Sequence, residues 1–118
     1  GKMTPATAFA EDDHRRYNRE GQAFDRGETF SGVDYAKGLL AVEELKELLP
    51  KGVSMAQLAL KWILMFDAVS CTIPGAKSPQ QVEDNCRASD LPRLAPAAMR
   101  RIRSIYERHV MADVHHRW

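Results

Sequence analysis

Cysteine is scarce in this sequence. Only Cys71 and Cys86 occur among 118 residues, enough for one bridge at most and without the Cys-x-x-Cys spacing of a zinc site. They read as free, buried thiols of a reducing compartment. Long apolar runs are missing too: the longest, Trp62–Phe66, falls far short of the roughly 20 residues that a membrane helix needs. No charge of one sign dominates. The net charge is +1, so nothing global draws the chain to nucleic acid or to an acidic surface. No signal-like segment opens the sequence. His115-His116 is the one histidine pair, and it has no third ligand at a useful spacing, so no metal site is expected. Together these absences predict a cytoplasmic protein that works without membrane, nucleic acid or metal.

What is present is an ordinary globular composition, 44% apolar, in a chain long enough for one real core. Residues 1–30 are polar and lack a sustained period. They read as a long loop with at most one short helical turn around His14–Glu20, and their alternating charges suit a solvated surface. The spacing of Tyr35, Leu39, Val42, Leu45 and Leu49 predicts a helix from Ser31 or Gly32 to about Leu49, stopped by Pro50-Lys51-Gly52. Ser54 caps a second helix to about Phe66. It is apolar almost all round, interrupted only by Gln57 and Lys61, and so is expected to be covered on most sides. Ala88–Pro92 reads as a linker. Pro96 opens a last helix to about Val110, with Met99, Ile102, Tyr106 and Val110 as its apolar stripe. Arg100, Arg101, Arg103 and Arg108 make that helix basic. A nucleic-acid contact is one reading of it, but no groove-reading motif or aromatic interleaving accompanies the arginines, and a solvated amphipathic face is favoured.

The most informative stretch is Val69–Asn85. Val69, Cys71, Thr72 and Ile73 favour a short buried strand, and Pro74-Gly75 breaks it. Ser78, Pro79 and Gln81 then mark a helix start with a Ser-x-x-Gln capping box; Val82 and Cys86 are expected to face inward. A helix N-terminus presents unpaired N–H groups and the positive end of its dipole, which suits an anion. Lys77 adds a full charge one residue ahead of the cap. Gln81, Asp84 and Asn85, at i, i+3 and i+4, share one polar face beside it. Capping residues also explain themselves structurally, so the pattern alone leaves a plain helix start open. One strand cannot make a sheet, however. A lone strand beside an apolar helix reads as a unit of a larger α/β sheet or barrel.

Ser54-Met55-Ala56-Gln57-Leu58-Ala59-Leu60-Lys61-Trp62 followed by Ile73-Pro74-Gly75-Ala76-Lys77-Ser78-Pro79-Gln80-Gln81-Val82-Glu83-Asp84-Asn85 resembles the C-terminal part of an aldo-keto reductase. Gly1–Pro5 and Glu11–Arg15 resemble the long loop after the seventh barrel strand. The resemblance reaches about Val110. It implies a piece of a TIM-type (β/α)₈ barrel that, in the intact protein, reduces a small carbonyl compound with NADPH as an oxidoreductase. On this reading residues 1–30 are the loop after strand 7, residues 31–110 hold the C-terminal helices, the last barrel strand (69–73) and the cofactor-clamp turn, and residues 111–118 are a tail. Gly75, Ala76, Lys77 and Ser78 are then expected around the 2′-phosphate of NADP, with Gln81, Asp84 and Asn85 on the adenine side. Many relatives carry an arginine where Gln81 stands, so the resemblance implies a weaker preference for NADP over NAD.

A full barrel takes roughly 250 residues, and the family's catalytic aspartate, tyrosine, lysine and histidine have no matching positions here. The chain by itself is therefore expected to be mainly α with at most one short strand, to lack catalytic residues, to bind no cofactor and to self-associate through its uncovered apolar surface. The alternative is a non-catalytic helical binding or interaction module derived from the same fold.

Overall fold

The computed structural model of the chain describes residues 3–117. Gly1 and Lys2, at the head of the expected loop, and Trp118, at the end of the expected tail, lie outside the described residues. The described chain is mainly helical, as expected, and no strand occurs among the described residues. It divides into two compact units, one made by Lys46–Arg101 and the other by the described residues on either side of it.

The Lys46–Arg101 unit is built on α3 (Met55–Ile63) and α4 (Pro79–Asp90). Ser54 begins α3 with a complete capping box. Its Oγ accepts from Gln57 N–H at 3.2 Å, and Gln57 Oε1 accepts from Ser54 N–H at 3.0 Å, which satisfies two end-of-helix donors reciprocally. The helix closes before Phe66 because its last turn tightens into three-residue bonds, Met65 N–H to Trp62 O and Phe66 N–H to Ile63 O. The cover expected for this apolar helix is not supplied by the unit. Leu58 is buried, but Ala56, Ala59 and Phe66 are exposed.

The α4 helix runs through Ser89 and Asp90, which the sequence places in a linker. Ser89 Oγ donates back to Cys86 O at 2.8 Å and Arg87 pairs with Asp84 and Glu83, so the last turn is supported locally. The inward face also differs from the expected one. Val82 is 51% exposed and Cys86 is exposed, whereas Ala88 is buried and Asp84 and Asn85 are half-buried. Asp84 and Ala88 lie four residues apart, so they share the side of α4 that meets α3. Gln57 Nε2 donates to Asp84 O at 2.9 Å and Lys61 Nζ to Ser89 O at 3.0 Å across this contact. Both cysteines are free thiols but exposed, not buried.

Between the helices, Val69–Ile73 forms no strand, and Ile73 is 93% exposed. Its strand-favouring residues have no described strand beside them to accept or donate ladder hydrogen bonds, and β-propensity without a neighbour does not hold a strand.

The second unit begins with the loop expected to be solvated surface. That expectation fails at its centre, because Asn18 and Thr29 are fully buried. α1 (His14–Tyr17) is capped by Asp13, whose carboxylate accepts from Arg15 N–H and from the Arg15 guanidinium. Those bonds hold the Asp13 carboxyl down at about 2. A cluster of Phe9, Phe30 and Tyr35 follows, with Phe30 and Tyr35 ring centres 4.9 Å apart and Arg15 and Arg19 stacked over Phe9.

Phe30, Ser31 and Gly32 take φ of +49°, +56° and +77° in succession. A left-handed run cannot continue into a right-handed helix, so α2 (Tyr35–Lys46) starts after Gly32, with Asp34 Oδ1 accepting from Lys37 N–H. The stripe residues Tyr35, Leu39, Val42 and Leu45 are half-buried and Ala41 is buried.

α5 (Pro96–His109) buries Ile102 and Ile105. Its basic residues are largely paired: Arg103 with Glu107, Arg108 and His109 with Glu44, and Arg101 with Glu47. The tail is helical as α6 (Met111–Val114) and a 3₁₀ turn, His115–Arg117. Asp113 accepts from Lys37 Nζ at 2.6 Å and from Asp34 N–H at 3.2 Å.

Those two donors, the lysine first, hold the Asp113 carboxyl below the usual aspartate value of 3.8, against the opposing effect of burial. A carboxyl whose folded pKa is depressed contributes stability above its unfolded pKa and loses it as pH falls through the folded one. Asp113→Asn is therefore expected to cost about 1 kcal/mol or less at neutral pH, since Lys37 is half exposed, and to cost progressively less below pH about 4. Urea titrations of both proteins at pH 7 and pH 3 check this; an equal cost at both pH values would count against the ion pair.

Candidate cofactor-phosphate site

The seven residues marked by the sequence all lie at or near the start of α4. Gly75 and Ala76 are exposed in the irregular segment ahead of it. A side chain at Gly75 would meet nothing within 4 Å, so a ligand could approach its backbone. Ser78 has extended backbone (φ −150°, ψ 155°) and its Oγ accepts from Gln81 N–H at 3.3 Å. Pro79 then occupies the first turn, where its missing N–H costs nothing. The second arm of the expected capping box is shifted by one residue. Gln81 Oε1 accepts from Lys77 N–H at 2.6 Å instead of from Ser78 N–H. The effect is to pin Lys77 against the helix start. Its ammonium is exposed, and no carboxylate among the described residues is paired with it.

Gly75–Ser78 and Gln81 are thus brought together, but the polar face does not continue as one surface. Asp84 is occupied elsewhere: its Oδ1 accepts from Gln80 Nε2 and from Arg87 Nη1, both at 3.1 Å, while its backbone carbonyl takes the Gln57 bond. Asn85 lines a groove of about 330 Å³ together with Leu60, Leu64, Cys71, Thr72 and Cys86. A phosphate-sized anion suits the Lys77–Ser78 corner, where a positive charge, a hydroxyl and a helix N-terminus converge.

Two residues that matter to this corner were not singled out from the sequence. Gln57 caps α3 through its oxygen and ties α4 down through its nitrogen. Ser54 at three residues before Gln57 was the available signal for the first bond; nothing local signals the second. Arg87, four residues after Glu83 and three after Asp84, was legible as a helix ion-pair residue.

His14, Tyr35 and His109 are engaged in structural contacts. His14 Nδ1 meets Thr29 Oγ1 at 3.3 Å, Tyr35 donates to Thr4 O, and His109 pairs with Glu44. Tyr106 Oη lies 2.9 Å from His115 Nδ1, a pairing the sequence did not foretell. No group of three or more potential metal ligands occurs among the described residues, and no helix among them is long and apolar enough to cross a membrane.

On geometry alone, this is a helical chain with one helix start whose free N–H groups and neighbouring lysine suit an anion. The chain belongs to the aldo/keto reductase family, a family of oxidoreductases, whose model matches residues 1–107. The match fits the reading of these helices as a piece of the family's barrel. No match was found among curated proteins, nor among solved structures.

Proposed function

We propose that this chain supplies the adenosine 2′-phosphate clamp of an NADP-dependent aldo-keto reductase. In that protein residues 1–30 are the loop after the seventh strand of a TIM-type barrel, 69–73 pair as its last strand, 111–118 form a tail, and the acid–base groups of carbonyl reduction come from residues outside this chain. The observation that carries the reading is the placement of Lys77. Without a carboxylate partner among the described residues, it stands immediately ahead of the Ser78 cap, at the positive end of a twelve-residue helix.

NADPH supplies the hydride to a small carbonyl substrate in such an enzyme. This chain's part is to hold the other end. Lys77 Nζ neutralises the 2′-phosphate, Ser78 and the backbone at Gly75 and Ala76 approach its oxygens, and Gln81, Asp84 and Asn85 border the adenosine. Asp84 reaches the adenosine only by giving up the Gln80 or Arg87 bond it makes in this structure. Because Gln81 is neutral and already bonded to Lys77 N–H, Lys77 carries the discrimination between NADP and NAD. The intact enzyme is read as cytoplasmic.

Titration of NADP and NAD into the intact reductase and into its Lys77→Ala variant, read by calorimetry, tests the clamp. A lost charge-assisted phosphate contact is expected to weaken NADP about tenfold and leave NAD unchanged. Equal losses for both cofactors, or no effect on either, would remove the assignment. The 118-residue chain by itself, mixed with NADPH and an aldehyde, is expected to show no turnover.

Self-association follows from the same reading. Ala56, Ala59, Phe66 and Ile73 are apolar and open in the Lys46–Arg101 unit, where barrel neighbours would lie. The isolated chain is expected to bind an apolar dye and to sediment heavier than 13.3 kDa. A dye-silent monomer would argue against missing barrel contacts.

A further inference from the structure

Gln57 and Lys61 both reach from α3 to the backbone of α4. Four residues apart, they share one face of α3. Gln57 Nε2 donates to Asp84 O at 2.9 Å and Lys61 Nζ to Ser89 O at 3.0 Å. The two donor residues lie about 6 Å apart along α3 and the two acceptors about 7.5 Å apart along α4, so the grips are well separated. Neither bond loosens α4. A backbone oxygen has two lone pairs, so Asp84 O can serve both its own helix and Gln57. Ser89 is in the last turn, where carbonyls have no partner inside the helix and the dipole favours a cation. Leu58 and Ala88 are the buried residues of the two helices.

The donors advance along α3 in the same direction as the acceptors advance along α4, so the two helices run side by side in the same sense. Consecutive helices of a (β/α)₈ ring do so too. Neither bond uses residues 69–73, and the contact does not depend on whether that segment pairs as a strand. One bond would leave α4 free to pivot; two fix both its slide along α3 and its tilt. Ser78, the cap of α4, stands six residues ahead of Asp84, and Gln81 Oε1 holds Lys77 N–H against that helix start. The phosphate corner therefore goes where α4 goes.

We propose that Gln57 and Lys61 are positioning residues for the 2′-phosphate corner: they hold α4 at two points and so set where Lys77 and Ser78 stand. Each acts through the α4 backbone, without touching the cofactor. The role rests on the cofactor reading; the two bonds do not.

Gln57→Glu separates the two tasks of this side chain. A glutamate still accepts from Ser54 N–H, so the capping box stays, but it has no N–H for Asp84 O and turns a carboxylate toward it. Lys61→Met keeps the apolar stem and removes the ammonium, so the test does not depend on one variant folding. Ser54→Ala removes a cap bond of α3 and leaves both grips in place.

The experiment assays the intact reductase and its Gln57→Glu, Lys61→Met, Ser54→Ala and Lys77→Ala variants with NADPH and with NADH. Gln57→Glu and Lys61→Met are each expected to raise KM for NADPH several-fold, less than the about tenfold of Lys77→Ala, without lowering kcat at saturating NADPH. KM for NADH is expected to change less, so the preference for NADPH falls. Ser54→Ala is expected to lower the melting temperature and keep the preference. A fall in kcat with KM unchanged, or a preference that holds in either grip variant while Lys77→Ala loses it, overturns the positioning role and leaves the clamp supported. The same loss of preference in Ser54→Ala makes it an effect of helix stability and also overturns the role. A preference unmoved by Lys77→Ala overturns the clamp, and the positioning role with it.

Discussion

Asn18→Ala is expected to destabilise the chain by about 3 kcal/mol, because one side chain holds the first thirty residues together. Asn18 is fully buried. Its Oδ1 accepts from Ala23 N–H at 2.9 Å and Phe24 N–H at 3.0 Å, and its Nδ2 donates to Thr29 Oγ1 at 3.1 Å. Alanine removes all three bonds, leaves the buried Thr29 hydroxyl without that donor and opens a small cavity. Unpaired buried donors and acceptors cost about 1–3 kcal/mol each, with the two backbone groups at the low end because Ala23 and Phe24 are exposed. Thr29→Val is expected to cost less, about 1–2 kcal/mol, because the His14 and Asn18 bonds are lost but the shape is kept. The double variant is expected to cost less than the sum, since both single changes break the same bond. Urea denaturation of the four proteins decides. An Asn18→Ala cost within about 0.5 kcal/mol of zero, the range of an ordinary surface substitution, would mean that the loop is not anchored there.

The helices were legible where capping chemistry and apolar spacing agree. Ser54, Ser78-Pro79 and Pro96 each begin a helix as their types require. Of the expected α5 stripe Ile102 is buried, Met99, Tyr106 and Val110 are half-buried, and the most buried residue, Ile105, lies outside it. The loop was not legible as a packed element, because its organisation depends on one asparagine accepting backbone bonds five and six residues away. Composition shows that stretch only as polar and glycine-containing. The start of α2 was misplaced for a related reason. Positive φ at Phe30 is a conformation that phenylalanine rarely adopts, and it is held by stacking on Phe9 and Tyr35, which no local pattern reveals.

The candidate site was legible as a set of positions and less so as a surface. Spacing on a helix places Gln81, Asp84 and Asn85 within one arc, but it does not say which neighbour each will meet. Asp84 is taken by Gln80, Arg87 and Gln57, and Asn85 lines the groove. The inward residue of α4 is Ala88, because a small side chain lets α3 approach while Gln57 bridges the two backbones. The strand shows the same limit. Val69–Ile73 carries the composition of a buried barrel strand, and composition expresses what the chain meets in its full context. Without a neighbouring strand among the described residues, the same residues stand open, and Ile73 with them. A β-propensity without a ladder and an apolar helix without cover are two signs of one cause, the barrel surface these elements are proposed to join.

Ile105→Ala is expected to be the most damaging single truncation in α5. Ile105 is 2% exposed, and removing three carbons from a buried isoleucine costs about 2–5 kcal/mol through lost transfer energy and the cavity left behind. The loss falls on the unit that also holds the Asn18 network and Asp113, and a marginal domain has only about 5–15 kcal/mol to lose. Leu40→Ala makes the contrast. Leu40 is the same size but 58% exposed on α2, and its truncation is expected to cost under about 1 kcal/mol. Thermal and urea denaturation of the two variants measure the difference, and amide exchange shows where it falls. For Ile105→Ala, protection is expected to fall along residues 102–109 and α2 and to persist in α3 and α4. Equal costs for the two truncations would mean that Ile105 is not part of a packed core. A loss of protection spread evenly over both units would mean that they unfold as one.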